Sequence, residues 1–112
     1  MAKKRIGPPA SHLKVLIWEA QVDVFVCRGM LDNPKKDLGN QEPGTNRIII
    51  SPDIESMHEL LDTFVHEVLH FVLGTDEELV EACTAKIIHS LTGFERKRLF
   101  LKFAQSLKKV EG

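Results

Sequence analysis

From Met57 to Leu73 the apolar residues return at helical spacing, and His66 and His70 stand four residues apart among them. A helix turns by about 100° per residue, so Met57, Leu60, Leu61, Phe64, Val65, Val68, Phe71 and Val72 share one broad apolar arc. A helix with so wide an arc must be covered by other elements. The remaining arc, roughly a quarter-turn, holds Glu59, Thr63, His66, Glu67 and His70. A polar stripe on a largely buried helix is a place for chemistry.

Within that stripe His66-Glu67-Val68-Leu69-His70 reads H-E-x-x-H. Positions i and i+4 face the same way on a helix, so both imidazoles can reach one zinc ion. Glu67 can hold a metal-bound water and take its proton. A catalytic zinc needs a third protein ligand and keeps one position for water. No histidine follows at the longer H-E-x-x-H-x-x-G-x-x-H spacing, because position 76 is aspartate. Only Gly74-Thr75-Asp76 separates this helix from the next, so Glu77, Glu78 and Glu81 are the available carboxylates. Glu77 and Glu78 suit the positive end of the helix dipole. Glu81, a turn further in and beside Ile88 on the wheel, is preferred as the metal ligand, with Glu78 as the alternative.

Ahead of the motif, residues 1–11 read as a flexible lead containing Gly7-Pro8-Pro9. Leu13 to Trp18 and Val22 to Val26 read as two strands, with a short helix up to Ala20 as the alternative for the first. Residues 32–45, rich in Asn, Pro, Gly, Asp and Lys, read as a loop. Arg47 to Ser51 reads as a strand. Ser51-Pro52-Asp53 is expected to open the motif helix near Ile54, and Gly74 to end it. A second helix is expected up to Leu91 and a third from Phe94 to about Val110. The order of elements makes an α+β fold: about three short N-terminal strands packed on the motif helix, a glutamate-bearing second helix and a basic C-terminal helix.

The 112 residues form one domain, 43% of them hydrophobic, with a C-terminal helical extension over 94–112. A core this small gains from a bound metal. No stretch reads as a signal peptide or a membrane span, and Cys27 and Cys83 stand far apart outside any C-x-x-C pair. They read as buried thiols of a cytoplasmic protein. The net charge of −1 conceals an uneven distribution. Between Asp37 and Ala85 the one basic residue is Arg47, whereas Lys3, Lys4, Arg5, Arg96, Lys97, Arg98, Lys102, Lys108 and Lys109 make the ends basic. Basic ends are candidates for nucleic-acid contact, and equally for solvated helix faces.

The stretch from Leu61 to Gly74 followed by Glu77-Glu78-Leu79-Val80-Glu81-Ala82 resembles the small H-E-x-x-H metallopeptidases of phages, prophages and archaea, the minigluzincins, which are related to the ImmA/IrrE and SprT-like groups. Thr63, His66, Glu67 and His70 match a T-x-x-H-E-x-x-H helix. Val80-Glu81 matches a following V-E-x-x-A, with Thr84 where alanine is usual. The resemblance spans roughly residues 47–91. It implies a zincin-like domain with zinc held by His66, His70 and Glu81.

On this reading zinc activates water, Glu67 is the general base, and a protein or peptide is the substrate. Strand Arg47 to Ser51 is expected to pair with an extended substrate, the loop from Asp37 to Thr45 to border the cleft, and Glu59 or Thr63 to orient a ligand imidazole. The chain has no tyrosine, which leaves oxyanion stabilisation to the metal, His89 or His58. Two other functions fit the same residues: a non-catalytic, zinc-stabilised binding module, and a protease acting on DNA-bound proteins such as a repressor.

Overall fold

A computed structural model describes residues 7–110. In chain order it contains α1 (Ala10–Glu19), β1 (Asp23–Val26), β2 (Gly39–Gln41), β3 (Arg47–Ile50), α2 (Met57–Leu73), α3 (Glu77–Ser90) and α4 (Gly93–Ser106). The architecture is α+β, as expected, but its first elements differ from the expectation.

Residues 13–18 are helical. Leu13 and Ile17 are buried while Val15 is 46% exposed. In a strand all three would lie on one face, so the i, i+4 spacing decides for helix. The hairpin reading therefore fails and the alternative stands. The expected flexible lead is also too long, because α1 begins at Ala10; residues 1–6 lie outside the described residues.

The sheet regains its third strand from the expected loop. Its order is β1-β3-β2, with β1 parallel and β2 antiparallel to β3. β2 is Gly-Asn-Gln, with no β-branched residue to announce it. Its pairing to β3 is continued by Ser51 N–H donating to Leu38 at 2.8 Å and Glu42 N–H donating to Arg47 at 3.0 Å. β3 sits at the centre, with Ile48, Ile49 and Ile50 all buried, as a strand covered on both faces requires. The last helix ends at Ser106, short of the expected Val110, because the segment after it turns extended and covers the outer edge of β1: Leu107 bridges Val24, and Lys108 N–H donates to the Val24 carbonyl at 2.8 Å. β2 is left as the open edge among the described strands.

Helix α2 crosses this sheet and joins the other three helices in one core. Phe64, Val65, Val68 and Leu69 of α2 are 0% exposed, and Val80 and Cys83 of α3 and Leu99 of α4 are equally buried. Phe64 meets Phe103 of α4 edge-on, 5.5 Å between centroids. The α2 N-cap is Ser56, whose hydroxyl accepts from Glu59 N–H, so the helix starts later than Ile54. Asp53 instead pairs with Arg28. Met57 and Phe71, placed in the apolar arc by periodicity, are 51% and 36% exposed.

Candidate metal centre

The stripe predicted on α2 is where the fold places its polar core. Glu67 is 7% exposed and Thr63 8%, both under β2. The strand approaches so closely that a Cβ on Gly39 would lie 2.8 Å from Thr63 Cγ2 and 3.2 Å from Glu67 Cγ. Glycine at 39 is what allows β2 to lie over the motif. His66 and His70 are half-buried beside it, their rings 4.9 Å apart in an edge-on arrangement.

The carboxylate facing them belongs to Glu77. Its Oε1 lies 2.7 Å from His66 Nε2 and its Oε2 2.9 Å from His70 Nε2. One ligand atom from each of the three side chains falls within 4.8 Å of the others. Glu81, preferred on sequence grounds, is exposed on α3 outside this group, as is Glu78. The wheel measured angle about α3 but not distance along it. Glu77 and Glu81 differ by one turn, about 6 Å of rise. Glu77 is the first residue after the Asp76 cap and lies nearest the His70 end of α2. Its signal was its seven-residue separation from His70 across a capped turn, which read as a dipole partner instead.

Does this donor set fit a metal? Nδ1 of His70 lies 3.0 Å from the Gly74 carbonyl oxygen and Nε2 2.9 Å from the Glu77 carboxylate. Both neighbours are acceptors, so a cation shared between Nε2 and the Glu77 carboxylate would satisfy both groups. An Nδ1–H donating to a backbone carbonyl is the usual way a protein frees Nε2 for a metal. Tetrahedral bonds of about 2.0–2.1 Å would put ligand atoms roughly 3.3 Å apart, a few tenths of an ångström more than these hydrogen bonds. All three ligand atoms lie within 4.8 Å of one another, so two imidazoles and a carboxylate are a donor set that could hold zinc once the side chains draw together. The group that orients His70 is thus the helix C-cap carbonyl rather than Glu59 or Thr63.

The site opens into a cleft of about 380 Å³ lined by His66, Glu67, His70, Thr75 and Glu77 on one side and by Asp37, Gly39, Asn40, Gln41 and Pro43 on the other. The segment from Asp37 to Thr45 does border the cleft. Burial pushes the Glu67 carboxyl up to about 7; His70 works against this, and the negative charges of Glu77 and Asp37 add to it. Such a group is poised to accept and return a proton near neutral pH. His89 is exposed on α3, and His58 lines a different groove; neither lines this cleft.

The expected substrate strand is corrected too. β3 is flanked by β1 and β2, so it has no free edge. The register pairs Asn40 with Ile49, and the bonds at Leu38 and Glu42 continue the same alternation. The backbone N–H and C=O groups of Gly39 and Gln41 therefore point away from β3. Both residues line the cleft.

Of the C-terminal cations, three are engaged by the fold. Arg98 stacks on Trp18 at 4.5 Å, Lys102 donates to the Trp18 and Ala20 carbonyls at 3.2 and 2.7 Å, and Lys108 lies 3.9 Å from Asp23. Burial lowers the Lys102 pKa, and Arg98 nearby adds to the effect. Among the described residues no helix is long and apolar enough to cross a membrane; both cysteines are free, Cys83 buried as expected but Cys27 only half-buried.

Compared with protein-family models, with curated proteins and with solved structures, the chain matches none.

Proposed function

We propose that the protein is a zinc-dependent peptidase of the H-E-x-x-H type, with His66, His70 and Glu77 as metal ligands and Glu67 as general base. The observation that supports it most is the convergence of both motif imidazoles on one carboxylate, at 2.7 and 2.9 Å, beside a buried glutamate in an open cleft. The resemblance of the H-E-x-x-H helix to the minigluzincin group supports the peptidase reading, while its V-E-x-x-A match implies Glu81 as the ligand and the His66–His70–Glu77 grouping favours Glu77.

When bound, zinc supplies a Lewis acid and an acidified water. The chain's own residues do the rest. The Gly74 carbonyl holds the His70 ring. Glu67, shielded by β2 and shifted upward, takes a proton at its carboxylate and returns it to the leaving amine. The outward N–H and C=O groups of Gly39 and Gln41 bind an extended substrate backbone as an added strand. Asp37, on the cleft wall, adds negative charge there.

Glu67→Gln tests the reading. It should retain zinc and lose peptide hydrolysis by at least about a hundredfold. Cleavage at the wild-type rate would remove Glu67 from the mechanism. A protein that binds zinc, cleaves no peptide and unfolds on chelation would instead be the zinc-stabilised binding module.

A further inference from the structure

A second concave surface lies at the other end of α2. Met57, His58 and Leu61 of α2 face Arg96, Lys97, Phe100 and Leu101 of α4 across a groove of about 440 Å³. Leu61 is buried, whereas Met57 is 51%, Phe100 36% and Leu101 56% exposed. Phe94, at the start of α4, is 75% exposed. Phe94, Lys97 and Leu101 follow one another at helical spacing, so Phe94 and Leu101 share a face of α4 with Lys97 between them. A concave surface that leaves Met57, Phe100 and Leu101 exposed beside two cations is a candidate binding face.

Charge identifies the occupant. Neither Arg96 nor Lys97 makes an ion pair with any described residue. The neighbouring carboxylate, Glu95, is already held by Lys14 at 3.1 Å and by the Thr92 N–H at 3.0 Å. Arg96 stands one turn before Phe100, and Lys97 one turn before Leu101. Each cation thus precedes an apolar contact on the same face. The two are about 100° apart around the helix, so they leave the backbone at separate points of the groove's border. That spacing suits several carboxylates distributed along a chain that also carries apolar anchors.

We propose that this groove is a docking site for an acidic amphipathic helix of a partner protein. The partner places apolar side chains between Met57, Leu61, Phe100 and Leu101, and its carboxylates meet Arg96 and Lys97. This is helix-in-groove recognition, with apolar burial supplying affinity and charge fixing register. The site needs no metal and does not depend on the peptidase reading.

Helical peptides displayed as a random library can be selected on the whole protein, with the Lys97→Glu and Leu101→Ser variants used for counter-selection. Both positions are exposed, so each variant should keep the wild-type Tm and its zinc content. Enriched sequences should carry apolar residues at three- and four-residue spacing flanked by Asp or Glu. A synthetic representative should bind about tenfold or more weakly to either variant, and more weakly at high salt. The proposal is overturned if no sequence enriches, if the enriched peptides are basic, or if both variants bind as well as wild type. It is also overturned if a DNA duplex competes for Arg96 and Lys97 while the acidic peptide does not bind. A chain that dimerises through this face and becomes monomeric on Leu101→Ser would give the groove to a second copy and overturn it equally.

Discussion

His70 and Gly74 are joined twice: the Gly74 N–H donates to the His70 carbonyl at 3.0 Å, and His70 Nδ1 lies 3.0 Å from the Gly74 carbonyl oxygen. The first bond ends the helix. The second turns the imidazole so that Nε2 faces Glu77. One residue thus terminates α2 and orients an imidazole of the candidate metal centre.

That double role makes Gly74 sensitive for a conformational reason. Its φ is 99°, a region closed to most side chains, although a Cβ there would meet no neighbour. Gly74→Ala should cost about 1–2 kcal/mol of stability from backbone strain. Because the carbonyl moves with the strain, zinc affinity should fall by roughly tenfold as well. Thermal unfolding and competitive zinc titration measure the two effects separately. A loss of stability with unchanged affinity would show that the carbonyl does not orient His70.

Gly39 is sensitive for the opposite reason. Its φ is unremarkable, but a Cβ there meets Thr63 Cγ2 at 2.8 Å, and both the Ile49 carbonyl and Glu67 Cγ at 3.2 Å. The neighbours include backbone and a buried helix, so they cannot yield cheaply. Gly39→Ala should cost about 1–3 kcal/mol by overpacking and lift β2 from α2. Because β2 carries no metal ligand, zinc should stay bound while peptide turnover falls. Equal activity in the variant would separate β2 from substrate binding.

Much of this was legible in the sequence, and the failures have physical causes. The motif helix was readable because seventeen residues of periodic pattern outweigh any local ambiguity. The start of α2 was not legible, because Ser56 is as well suited to an N-cap as the expected Ser51-Pro52-Asp53 opening and is the residue that caps the helix. Leu13 to Trp18 was misread because a short apolar run fits either period, and only the outward turn of Val15 distinguishes them. β2 was invisible because Gly39-Asn40-Gln41 becomes a strand only through pairing with β3. The approach of Glu77 to both histidines was not legible because helix periodicity reports the face of a residue and not its distance from a neighbouring helix.

The start of α4 offers a pH test away from the metal. Thr92 and Glu95 form a capping box, and Glu95 also takes Lys14 Nζ at 3.1 Å. The Thr92 N–H first, then Lys14, hold the Glu95 carboxyl below its usual value of 4.5. A carboxyl lowered on folding contributes stability that is present above 4.5 and is lost as pH falls through the lower folded value. Glu95→Gln can keep the Thr92 hydrogen bond but not the charge. Its Tm deficit relative to wild type should be largest near neutral pH and should shrink as the pH drops below 4.5. A deficit that is constant with pH would mean that packing, not charge, holds this corner.

The central claim is that the third metal ligand is Glu77 of α3. Zinc content by elemental analysis, measured on wild type, Glu77→Gln and Glu81→Gln after identical dialysis, tests it most directly. The account predicts about one zinc per chain in wild type and in Glu81→Gln, and metal largely lost from Glu77→Gln. Full zinc in Glu77→Gln, or its loss from Glu81→Gln, would contradict it.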